Sequence, residues 1–156
     1  MDKIKWCLEV KNGIELVEPN ANLAKAYVKK AEESLEVMRS MENRDWKIST
    51  AYYTMYFSLY AVLMRFGIKC EIHSCSIEFM KRFLSDFNEE ECRLLEDSLK
   101  ARVDTQYYVS RKVPDRVCEM MVREAPGFLV KCKSVLLKID ERKIKEIRKQ
   151  VREIVE

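Results

Sequence analysis

The sequence predicts an all-α protein: an up-and-down four-helix bundle with short segments appended at its N- and C-terminal ends. Three observations carry that expectation. Only 3 glycines and 3 prolines occur in 156 residues, too few for the many tight turns of a β-sandwich or barrel. Hydrophobic residues make up 47% and charged residues 35% of the chain, so it can fill a core and still cover it with solvated charge, which argues against disorder. Apolar residues also recur at steps of three and four over long stretches, the period of a helix with one buried face. The length corresponds to one domain, residues 1–156, with the bundle proper over about 20–140.

Taken in order, the chain opens on a mixed stretch. Trp6, Leu8, Val10, Ile14, Leu16 and Val17 are apolar, while Asn12-Gly13 and Pro19-Asn20 punctuate it as turns, which suits a short helix and a strap. From Asn20 or Asn22, either a good N-cap, the positions Leu23, Tyr27, Ala31, Leu35, Met38 and Met41 form an amphipathic helix of about 20 residues. Arg44-Asp45 offers a break before a second helix that runs through Phe66, with Gly67 where a left-handed C-cap is expected. That helix has two apolar stripes, one through Ile48, Ala51, Met55, Leu59 and Val62 and one through Tyr53, Tyr56, Phe57 and Tyr60. It is therefore either central or shared with a second subunit.

Ile68 to Ser76 reads as a loop, followed by a short helix with Ile77, Met80, Phe83 and Leu84. Asn88 to Glu91 reads as a capping box opening the next helix, which carries Cys92, Leu95, Leu99 and Val103 and ends before Val113-Pro114. Pro114-Asp115 suits a further helix start, and Pro126-Gly127 within it is expected to kink or interrupt it. From Asp140 a final stripe of Ile144, Ile147, Val151 and Ile154 remains helical.

The net charge of +3, from 29 Lys+Arg and 26 Asp+Glu, is too small to identify a nucleic-acid binder by composition. No membrane association is expected: the longest uncharged run, Ile48 to Met64, is 17 residues, shorter than the ~20 of a membrane span, and contains four tyrosines. The N-terminal MDKIKWCLEVKNG has no apolar run typical of a secretory signal. On that basis Cys7, Cys70, Cys75, Cys92, Cys118 and Cys132 are expected to be reduced core residues, and the location cytoplasmic.

The single histidine, His73, excludes every site that needs two imidazoles. Cys70, His73 and Cys75 lie close in sequence but match no standard zinc spacing, so no metal is expected. Glu89, Glu90, Glu91, Glu96 and Asp97 sit near a helix start, where capping and the dipole account for them. Three glycines cannot form a phosphate-binding loop, and no cofactor is expected. Basic character gathers at Lys100, Arg102, Arg111, Lys112 and Arg116 against Asp104 and Asp115, with Tyr107 and Tyr108 interleaved. Arginine for phosphate and tyrosine for base stacking is the pairing that RNA or a nucleotide would use, although a charge run on a helix end also serves as a solvated face.

The stretch STAYYTMYFSLYAVLMRFG, Ser49 to Gly67, with the segment Lys69 to His73 after it, resembles the AYY-x-M-[YF] helix and following glycine-to-histidine stretch of small HEPN-domain proteins. Arg102-x-x-x-Gln106-Tyr107 resembles the Arg-x-x-x-Asp-Tyr pattern of the same group, with Gln106 in place of Asp, and Ala125 and Phe128 resemble the Ala-x-x-Phe of its last long helix. The opening KWCLEVKNGIELVEPNANLAKAY is similar to archaeal members. The resemblance spans about residues 20 to 140.

What it implies is a four-helix bundle that forms a homodimer and is commonly paired with a minimal nucleotidyltransferase, as in toxin–antitoxin pairs. Ribonuclease members share Arg-x(4–6)-His. Here the positions after Arg102 hold Tyr107, Tyr108 and Val109 instead, and a tyrosine with pKa near 10 is a poor substitute for imidazole at neutral pH. The expectation is thus a non-catalytic dimeric module that binds nucleotide or RNA, or partners a nucleotidyltransferase, through Arg102, Tyr107, Arg111 and Lys69 with His73 shaping the rim. Tyr53, Tyr56 and Tyr60 form its core or dimer stripe. A ribonuclease with a degenerate site, for instance with His73 supplied across a dimer, and a ligand-free scaffold are the alternatives.

Overall fold

A computed structural model describes residues 2–156. Its elements are α1 (Lys3–Glu9), β1 (Glu15–Leu16), α2 (Ala21–Ser40), α3 (Arg44–Phe66), β2 (Ile68–Lys69), α4 (His73–Phe83), α5 (Glu89–Tyr107), α6 (Asp115–Leu137) and α7 (Glu141–Val155). The protein is all-α, with one antiparallel strand pair that matches Glu15 to Lys69 and Leu16 to Ile68. The four longest helices are α2, α3, α5 and α6, and α3 lies at the centre, packed on all three others and on α4 and α7.

Cap chemistry places the helix boundaries. Asn20, Asn43 and Asp140 each accept a backbone N–H from the first turn of α2, α3 and α7, and Asn88 with Glu91 forms a reciprocal capping box on α5. Gly67 ends α3 at φ 75°, a conformation that strains any residue with a Cβ. Of α3, residues Ala51, Met55, Leu59, Val62 and Leu63 are fully buried, as expected of a helix with core contacts on several sides. Among the described residues no helix is long and apolar enough to cross a membrane.

Three expectations need correction. The segment Ile68 to Ser76 is not a loop: Ile68-Lys69 is strand, and helix α4 begins at His73. Short-range patterning missed this because the strand's partner, β1, lies some 50 residues away in sequence. The Pro126-Gly127 pair does not interrupt α6, which runs unbroken from Asp115 to Leu137. Its buried face of Met121, Ala125, Phe128, Leu129 and Cys132 outweighs the roughly 3 kcal/mol that proline costs inside a helix. The cysteines are not all reduced: Cys7 and Cys75 form a disulfide at a Cα–Cα distance of 5.6 Å, while Cys70, Cys92, Cys118 and Cys132 are free and buried. Packing of α1 on α4 brings that pair together, which the sequence separation of 68 conceals.

Candidate functional site

The tyrosines of α3 organise the site. Tyr52, Tyr56 and Tyr60 recur every four residues and stack successively at centroid distances of 5.7 and 5.8 Å. Each hydroxyl meets one position of the segment 70–76. The Cys70 N–H donates to Tyr60 Oη at 3.0 Å, Tyr56 Oη pairs with Ser76 Oγ at 2.9 Å, and Tyr52 Oη lies 2.7 Å from His73 Nδ1. The imidazole itself stacks on Tyr56 at 3.8 Å with an interplanar angle of 12°. The first turn of α4 is thus locked to α3 by two hydroxyls and one ring face, and the residue leading into it by a third hydroxyl.

Protonation follows from that burial. Desolvation, reinforced by the nearby Arg102 charge, lowers the His73 pKa to about 4, so the ring is neutral at neutral pH. Desolvation likewise raises the Tyr52 and Tyr56 pKa values far above the ordinary tyrosine range. Tyr52 is fully buried, and its proton would be orphaned unless it were given to His73 Nδ1. We therefore assign Tyr52 as donor and place the imidazole proton on Nε2.

Arg102, on α5, also reaches Tyr52, together with its neighbour Tyr53. Its guanidinium lies over the rings of Tyr52 and Tyr53 at 5.3 and 5.4 Å. One Nη donates to Tyr53 Oη at 3.0 Å and to Gln106 Oε1 at 3.0 Å. Both partners are neutral. Among the described residues no carboxylate stands within ion-pairing distance of it, and its buried Nε has no partner. One turn earlier on the same helix, the buried Ser98 Oγ is also unpartnered. Tyr53 and Gln106 in turn line a pocket of about 310 Å³ completed by Asn43, Asp45, Trp46, Ser49 and Thr105. Trp46 is 62% exposed.

The residues expected from sequence separate into two groups. Arg102 and His73 come together across Tyr52, although 29 positions divide them in the chain; a second subunit is not required to bring them close. Tyr107 is exposed at the end of α5, and Arg111 stacks over Tyr108 at 3.9 Å while pairing with Asp104 at 3.4 Å. Lys69, on β2, pairs with Glu71 at 4.0 Å. Neither Tyr107 nor Lys69 is among the partners of Arg102. Tyr56 and Tyr60 are buried within the protomer, and Tyr53 is half-buried. Cys75 is committed to its disulfide and the Cys70 thiol donates to the Ile72 carbonyl, so the three residues Cys70, His73 and Cys75 do not converge as ligands.

Sequence reasoning missed Tyr52, the residue that joins histidine to arginine, and Trp46. The spacing of Tyr52 from Tyr56 was legible; which neighbour each would face was not. Fold and site together define an all-α helical protein with a guanidinium–tyrosine–imidazole cluster beside a polar, aromatic pocket. No protein-family model and no curated protein matches this chain.

Proposed function

We propose that the chain is a non-catalytic HEPN-type dimeric module that binds nucleotide or RNA at the Arg102 pocket and partners a minimal nucleotidyltransferase in a toxin–antitoxin-like pair. The ligand-binding part rests on one observation: a half-buried guanidinium held by two neutral partners, Tyr53 and Gln106, that themselves line a pocket. Cations removed from water are normally paired with an anion, and a phosphate would supply one, bidentate to a planar fork. Trp46 offers a stacking face, and the Gln106 and Asn43 amides offer both donors and acceptors to a base edge. The dimer and the nucleotidyltransferase rest on the resemblance carried by Ser49 to Gly67, and an archaeal origin on that of the opening segment, Lys5 to Tyr27. A cytoplasmic setting belongs to the same reading. The Cys7–Cys75 disulfide is unusual in a reducing compartment, hyperthermophilic archaea being the main exception.

Calorimetric titration with AMP at low salt tests the binding. Heat of binding that disappears in Arg102→Met supports it, and no binding of either AMP or single-stranded RNA by the native chain removes it and leaves the ligand-free scaffold. Light scattering tests the dimer, which a single species at 18.6 kDa would contradict.

A ribonuclease is the second reading, favoured by the approach of His73 and Arg102 to one another within one chain. Against it, Nδ1 is engaged by Tyr52 and Nε2 carries the proton, so a general base would need a tautomer change. An imidazole with pKa about 4 is also a weak proton acceptor at neutral pH. Incubation with single-stranded RNA decides: cleavage that is lost in His73→Ala establishes the enzyme.

A further inference from the structure

We propose that the cavity between α5 and α6 is a groove for the phosphate backbone of single-stranded RNA, adjoining the Arg102 pocket, so that the ligand is an oligonucleotide rather than a mononucleotide. The inference rests on the reading of the Arg102 pocket and extends it. The cavity is the larger of the two, about 500 Å³.

Its charged lining is net positive, four cations against two carboxylates. Lys100, Lys112, Arg116 and Arg123 face Asp97 and Asp104, and Asp104 is already paired with Arg111. Among the described residues, Lys100, Lys112 and Arg116 have no carboxylate at ion-pairing distance, and Arg123 has only its exposed neighbour Glu124 at 3.3 Å. A concave surface with several unpaired cations concentrates polyanions more than any single charge does. Between the cations, Val113, Val117 and Met120 give apolar ground on which sugars can lie.

The two cavities are lined by consecutive residues of the last turn of α5. Asp104 lines the groove, and its neighbours Thr105 and Gln106 line the Arg102 pocket. Arg44, between Asn43 and Asp45 of that pocket, donates to the Val113 carbonyl and pairs with Asp115 at 3.0 Å, which ties the N-terminus of α3 to the groove's edge. A strand crossing the last turn of α5 therefore meets cations on one side and the polar, aromatic pocket on the other. Tyr107, 64% exposed at that turn, presents a ring face that unpaired bases can stack on and that a duplex, with its bases already stacked, cannot use, whereas Arg111 already covers one face of the Tyr108 ring.

Fluorescence anisotropy with a labelled RNA octamer, the same octamer as a duplex, and AMP as competitor tests the groove. The octamer should bind at least tenfold more tightly than AMP and the duplex. Lys112→Ala/Arg116→Ala should cost the octamer about tenfold, reduce its log–log salt slope by about 1.4, and leave AMP unchanged. Arg142→Ala/Lys145→Ala, an equal charge loss on α7, should change neither. AMP binding with no gain for the octamer, an octamer insensitive to Lys112→Ala/Arg116→Ala, or equal affinity for the duplex would overturn the groove while leaving the Arg102 pocket standing. Failure of both AMP and octamer to bind would overturn both.

Discussion

Arg102 and Arg148 both lack a carboxylate partner, and they stand in different surroundings. Arg148, on α7, donates from one Nη to the carbonyls of Val17, Phe66 and Gly67 at 2.8, 3.0 and 3.0 Å. Phe66 and Gly67 close α3, where helix ends leave acceptors unsatisfied and the dipole favours a cation, and Val17 follows β1 beside them. Arg102 has instead a hydroxyl, an amide and an orphaned Nε. A missing carboxylate is thus no signal of binding by itself. At Arg148 the backbone already supplies the negative partner, while at Arg102 that partner is absent and a cavity lies alongside.

Substitutions should separate a frame, which governs stability, from a site, which governs ligand affinity. The largest expected effect belongs to the frame: Cys7→Ala/Cys75→Ala should lower unfolding free energy by roughly 4 kcal/mol, from the loop entropy of a bridge spanning 68 residues. Urea denaturation of the native chain with and without reductant gives the same comparison without mutation. Gly67→Ala should cost roughly 3 kcal/mol. It imposes a left-handed conformation on a residue with a Cβ and presses that atom against the Val17 carbonyl, Pro19 and the Arg148 guanidinium. A shifted urea midpoint with unchanged slope is the expected record.

The matched pair comes next and breaks the comparison if it behaves alike. Arg148→Met should cost about 2 kcal/mol because three carbonyls lose their donor. Arg102→Met should change stability by less than about 0.5 kcal/mol, since the apolar stem still packs on Tyr52 and Tyr53 and a desolvated charge is removed. Equal destabilisation by both would make Arg102 a second structural arginine. The effect of pH falls between those of the two arginines. The folded His73 pKa of about 4 lies below its ordinary 6.5, so the unfolded chain takes up the proton first as pH falls. The stability from the neutral imidazole is whole above about pH 6.5 and is lost as pH drops toward 4, on the order of 1 kcal/mol after allowance for the ring's partial exposure. His73→Phe should flatten that slope, and NMR titration of the ring near pH 6.5 would contradict it.

Much of the fold was legible because it is written locally. Asn20, Asn88 and Gly67 act through atoms within four residues of themselves, so their roles could be read from short segments. Arg102 could be singled out by its type, but its partners Tyr53 and Gln106 lie 49 and 4 positions away, and only the nearer one shares its helix. Trp46 gave no signal, since a large apolar residue in the first turn of a helix is as readily buried as exposed. Cys7 and Cys75 were misread for a related reason: neither lies in a cysteine-dense run, and compartment arguments speak to averages rather than to one pair.

Composition, capping residues and periodicity by themselves determined that the chain is helical, where α2 and α5 begin and α3 ends, and most of the apolar positions that are buried, since each depends on backbone entropy, capping or the period of 3.6. Only the tertiary structure decided that His73 opens a helix, that Tyr52 bridges it to Arg102, that Cys7 reaches Cys75, and that α6 survives Pro126. Those outcomes depend on contacts between segments distant in sequence, where burial and packing outweigh local preference.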